Sequence, residues 1–75
     1  MSTLADLRVN GRATVTEVLG SDDVAVRLLE MGLVPGTEIQ LIGFAPLGDP
    51  LEIEVRGYRL SVRKSEAAHV VVAVA

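Results

Sequence analysis

The chain has 75 residues, enough for one small hydrophobic core and too few for two, so residues 1–75 are expected to form a single domain. An apolar share of 49% against 23% charged residues is that of a folding chain, and zero cysteines exclude disulfide frameworks, thiolate metal sites and thiol nucleophiles. The net charge of −3, from 10 acids against 7 bases, repels phosphate backbones, so nucleic acid is not an expected partner. No signal segment or apolar run of spanning length is present, and no direct membrane insertion is expected. Stability must then come from packing, with self-association left open.

After an unassigned apolar-polar start over Thr3 to Val9, Gly11 opens a Val- and Thr-rich run that predicts a first strand, Ala13 to Leu19, closed by Gly20. Ser21, Asp22 and Asp23 offer amino-terminal cap oxygens to a short amphipathic helix, Val24 to Met31, in which Val24, Leu28 and Met31 share one face. Asp23 and Arg27 are spaced to pair on the other side. Gly32 reads as the positive-φ residue past the last turn, Leu33 as its apolar contact with Leu28, and Pro35 as a bar to resumption. Pro35-Gly36 occupy the centre of a type II turn, Val34 to Thr37, which reverses the chain into a strand at Glu38 to Ile42.

Gly43 to Pro50 predicts a loop in which Pro46, Gly48 and Pro50 punctuate Phe44 and Leu47. Leu51 to Val55 and Leu60 to Val62 alternate apolar with polar residues, and a Gly57-Tyr58 turn would pair Val55 with Leu60, Glu54 with Ser61, Ile53 with Val62, and Glu52 with Arg63. Ser65 to His69 predicts one helical turn. Val70 to Val74 is a last strand, apolar at both parities, whose outer side needs a cover. The expected fold is mainly β: a small barrel of about five strands with one short α-helix between the first two strands. Val15, Leu28, Met31, Ile39, Leu41, Ile53, Val55, Leu60, Val62, Val70 and Val72 fill its interior, which leaves Val26, Leu29 and Leu47 outside.

Reactive constellations are not legible in this sequence. The lone histidine, His69, sits between Ala68 and Val70 as a strand-edge residue with no orienting partner. Glu52 and Glu54 read as an ion-paired face opposite Arg63, and Asp22 and Asp23 as helix caps, so neither pair is expected to hold metal. No glycine spacing matches a phosphate cradle, and two aromatics, Phe44 and Tyr58, are too few for a proline-rich peptide groove. Arg56, Arg59, Arg63 and Lys64 form a local basic strip. No enzyme, cofactor or metal site is expected; what is left is a binding module with an aliphatic surface.

The run Leu28-Leu29-Glu30-Met31-Gly32-Leu33-Val34-Pro35-Gly36-Thr37, then Ala45-Pro46-Leu47-Gly48-Asp49-Pro50 followed by Leu51 to Gly57, then Leu60 to Arg63 and Glu66-Ala67, resembles the FeoA family over nearly the whole chain. The resemblance implies an SH3-like barrel and a small cytosolic, non-catalytic accessory protein of bacterial ferrous iron uptake. It further implies a partner, the transporter FeoB with its cytosolic GTP-binding region, which would recruit the protein to the inner face of the membrane. The competing identity is the metal-sensing SH3-like domain at the carboxyl end of iron- and manganese-dependent repressors; a chain that opens at Met1 with no DNA-binding helices before the barrel is expected not to be one. Leu28, Met31, Gly32, Pro35, Gly36, Gly48, Asp49, Pro50 and Gly57 are read as structural members of the motif. Contact with the partner is expected at Val26, Arg27, Leu29, Glu30, Phe44, Pro46 and Leu47.

Overall fold

A computed structural model describes residues 2–20 and 22–75. Its elements are β1 (Ser2–Thr3), a 3-10 turn (Leu4–Asp6), β2 (Arg12–Val18), α1 (Asp23–Glu30), β3 (Glu38–Phe44), β4 (Leu51–Val55), β5 (Tyr58–Val62), α2 (Lys64–Ala67) and β6 (Val70–Val74). The strands form one antiparallel sheet in the order β1-β6-β2-β3-β4-β5. Period-two alternation turns Ala13 and Val15, Ile39 and Leu41, and Leu51, Ile53 and Val55 to one face. Register shifts at Val15/Glu17 and Leu41/Gly43 each put an extra residue into one strand, and such bulges bend and twist the sheet so that this face wraps the core. The mainly β barrel is as the sequence predicts, with a sixth strand added and the helix therefore lying between the second and third. A two-residue strand carries no alternation to read. Leu4 and Leu7, in the segment left unassigned, are buried in the core, and Asp6 fixes the turn there by accepting the Thr3 N–H at 2.9 Å.

Helix α1 starts where Asp22 caps it, its Oδ1 accepting the Ala25 N–H at 3.3 Å. The Ser21 part of the expected cap lies outside the described residues. At the other end Gly32, at φ 105°, allows its own N–H to reach the Leu29 carbonyl at 3.0 Å and the Leu33 N–H to reach that of Leu28 at 3.2 Å. That bond pair is a Schellman motif, and its accompanying apolar contact is buried Leu28 with buried Leu33. Thr37 then donates to the Val34 carbonyl at 3.1 Å with Gly36 at φ 91°, the type II turn expected of Pro35-Gly36.

Several expectations need correction. The hairpin turns on Arg56-Gly57, both at positive φ, so the register pairs Val55 with Tyr58, Glu54 with Arg59, Ile53 with Leu60, Glu52 with Ser61 and Leu51 with Val62. The expected turn at Gly57-Tyr58 ignored that an arginine can take the left-handed conformation when the strands on both sides gain by it. Glu52 consequently does not face Arg63. Arg27 pairs with Glu66 of α2, and among the described residues no Asp23–Arg27 pair exists. β3 runs to Phe44, because the bulge after Leu41 carries the pairing on to Leu51. α2 begins at Lys64, one residue early, since Glu66 accepts the Arg63 N–H at 3.1 Å and starts the turn there. Met31 and Leu60 are half-buried and pack at the margin of the core, whereas Leu33, Leu51 and Ala67 belong to it. In β6, Val70, Val71 and Val72 are all buried, while residues 73–75 are exposed.

Candidate partner-docking site

The Ala45–Pro50 loop is short and braced at three points. Gly48 donates to the Ala45 carbonyl at 2.7 Å, Ala45 donates to the Pro50 carbonyl at 3.0 Å, and Asp49 Oδ1 accepts the Lys64 N–H at 2.9 Å. The first two bonds close the loop on itself and the third ties it to the start of α2. At its tip Leu47 is 97% exposed, with nothing to cover an isobutyl group. A leucine kept outside costs roughly 1.5–3 kcal/mol of burial it does not collect, and fixing the loop beforehand removes part of the ordering cost of inserting it into another surface.

Phe44, at the end of β3, is 42% exposed, and Pro46 is exposed beside Leu47. On α1 the inward residues are Ala25 and Leu28, while Val26 at 51% and Leu29 at 40% exposure lie on the solvent side with Glu30. Arg27 of α1, Met31 at its carboxyl cap and Pro50 of the loop line one cavity of about 340 Å³, so the helix and the base of the loop are neighbours. Arg27 is engaged by Glu66, which makes it part of the scaffold as well as of the surface. A larger cleft of about 620 Å³ lies elsewhere, between Arg12, Thr37, Glu38, Glu54 and Arg56, and contains none of the positions chosen from the sequence. Its charges are mixed in sign.

Four of the 10 acids are already employed. Asp6, Asp22, Asp49 and Glu66 each accept main-chain N–H bonds, and among the described residues no three His, Asp or Glu side chains gather as metal donors. Nor is any described helix long and apolar enough to cross a membrane. His69, exposed before β6, enters the fold through its main chain, its carbonyl accepting the Leu19 N–H at 2.7 Å. The sequence reading missed the Asp49–Lys64 bond that steadies the loop, since no local pattern signals a cap supplied from a distant segment.

The FeoA domain model matches residues 2–74. The chain belongs to the FeoA family. Among its relatives is the Fe(2+) transport protein A/Fe(2+) transporter FeoB fusion protein of Porphyromonas gingivalis, 35% identical over 67 residues. That match takes in 89% of this chain, which spans only 8% of the fusion protein's length. The crystal structure of Stenotrophomonas maltophilia FeoA complexed with zinc, described as a prokaryotic SH3 domain protein, superposes with a TM-score of 0.85 at 36% identity, covering 97% of this chain and 91% of that one. The barrel is accordingly SH3-like. The manganese regulator SloR also matches, with a TM-score of 0.83 over 99% of this chain and 34% of the regulator, but at 19% identity this likeness shows the fold alone.

Proposed function

We propose that this FeoA-family protein is a non-catalytic accessory factor of ferrous iron transport that acts by binding FeoB, at the cytosolic GTP-binding region and hence at the inner face of the membrane. The observation that carries the reading is the Porphyromonas gingivalis relative, in which Fe(2+) transport protein A and the transporter FeoB are one polypeptide. Covalent fusion keeps two modules at an effective concentration that short linkers bring to about the millimolar range, so when the modules are separate chains their own surfaces must supply the contact. The Stenotrophomonas maltophilia protein, discussed as a possible ferrous iron transport activating factor, is consistent with the same role.

The contact surface is the solvent side of α1, with Val26 and Leu29, together with Phe44, Pro46 and Leu47. Its exposed aliphatic residues are few and one of them is fully projecting, which fits an interface anchored by one or two central side chains. The test is direct binding: the purified chain is immobilised and the cytosolic region of FeoB from the same cell is passed over it. Saturable binding is expected; its absence with both proteins folded would overturn the reading.

A further inference from the structure

We propose that the outer edge of β5 is a docking strand for an extended acidic segment of a partner protein, which would add to the sheet as one more strand. This proposal does not depend on the FeoB contact, because it uses a different element and main-chain geometry.

β5 is the last strand of the sheet and is paired with β4 alone. The two-residue Arg56-Gly57 turn makes Val55–Tyr58 a mutually hydrogen-bonded pair, and antiparallel alternation extends that status to Ile53–Leu60 and Leu51–Val62. The amides and carbonyls of Arg59 and Ser61 therefore point away from β4. Among the described residues no main-chain group meets them. Both residues are exposed, and space is present alongside: the cavity of about 340 Å³ has Ser61 and Arg63 on the strand side and Arg27 and Met31 on the α1 side. By contrast β1, at the opposite edge, is two residues long and offers little to pair with.

Charge selects the occupant. Arg59, Arg63 and Lys64, three of the 7 bases in a chain of net charge −3, lie within or beside this edge, while the Arg56 side chain turns to Thr37 and the larger cleft. Glu54 stands across from Arg59, and Glu66 is taken by Arg27, which leaves Arg63 as the surplus charge in the cavity. An added strand with acids at alternate positions would set them beside Arg59 and Arg63, and its intervening apolar residues beside half-buried Leu60 and Met31. A second copy of this chain is disfavoured, since antiparallel β5–β5 pairing brings the Arg59 and Arg63 side chains of the two copies together; charged side chains are a common guard against such self-pairing.

The test uses the isotope-labelled chain and a short, end-blocked peptide alternating Glu with Val, with a control in which Lys replaces Glu. The acidic peptide should shift the Arg59 and Ser61 amides and slow their hydrogen exchange several-fold, leaving the Leu60 amide, already bonded to β4, unchanged. The lysine peptide should bind at least about tenfold more weakly. Ser61→Pro removes an outward N–H without touching the β4 ladder, and should abolish the response while β4 amide exchange stays as in the parent. Should that variant not fold, Arg59→Glu should reverse the preference between the two peptides. The proposal is overturned if the Arg59 and Ser61 amides ignore millimolar acidic peptide, if both peptides bind alike, or if those amides become protected with rising protein concentration in the absence of peptide.

Discussion

The guanidinium of Arg27 on α1 and the carboxylate of Glu66 on α2 form an ion pair that joins the two helical segments of the barrel. The partners are unequal: the Arg27 side chain is 59% exposed and that of Glu66 only 12%. A pair so open on one side is screened and contributes less than about 1 kcal/mol. Glu66 does more, since it also accepts the Arg63 N–H at 3.1 Å and so starts α2. Arg27→Ala is therefore expected to shift stability by no more than about 0.5 kcal/mol, and Glu66→Ala to cost about 1–2 kcal/mol. Urea midpoints of the two variants check the ranking; equal losses would mean that the ion pair, and not the cap, is the main contribution.

Gly32 is constrained twice. Its φ of 105° is a conformation that side chains rarely adopt, and a Cβ there would come within 2.8 Å of the Tyr58 hydroxyl, which donates to the Met31 carbonyl at 3.1 Å. Gly32→Val should destabilise the domain by at least about 1 kcal/mol by denaturant midpoint. In a Tyr58→Phe background, where the obstructing oxygen is gone, the further loss caused by Gly32→Ala should be smaller than in the parent.

Arg56 carries a removable strain. At φ 51° it holds the first central position of a turn whose preferred sequence is Asn-Gly, in return for one long hydrogen bond from Nη2 to Thr37 Oγ1 at 3.4 Å. Arg56→Asn is expected to stabilise by roughly 0.5–1 kcal/mol, read as a rise in the thermal midpoint. A fall would show that the Thr37 contact outweighs the turn.

That turn also shows what the sequence could and could not reveal. Helix α1 and the reversal after it were legible because Asp22, Gly32, Pro35 and Gly36 each have one dominant conformational use. The hairpin register was not, because Arg-Gly-Tyr carries glycine in either central slot equally well and only the six-strand pairing decides between them. Leu4 and Leu7 were missed for a related reason: one 3-10 turn sets two apolar residues three apart, too few to show the repeat of a helix or the alternation of a strand. At the candidate site, the exposure of Leu47 followed from its place between two prolines, Pro46 and Pro50. Its bracing by Lys64, which depends on a bond between separate segments, did not.

Cation binding is expected to be weak. Asp6, Asp22, Asp49 and Glu66 are committed to main-chain hydrogen bonds, and among the described residues the remaining acids do not gather into a set of three donors, so a metal finds no ready chelating site. Calorimetric titration with ferrous and manganous ions should give no stoichiometric micromolar site; finding one would favour a sensor role over a docking role.

The docking claim is tested most directly by measuring the affinity of Leu47→Asp and Val26→Asp for the cytosolic region of FeoB beside the parent chain, with thermal midpoints recorded on the same samples. Both positions are exposed, at 97% and 51%, so both variants should melt within a few degrees of the parent. A charge placed at a central anchor should weaken binding by about 2 kcal/mol or more, roughly thirtyfold, for Leu47→Asp, with a smaller loss for Val26→Asp. Parent-like affinity in both folded variants would contradict the account and move the FeoB contact away from the α1 and Phe44–Leu47 surface.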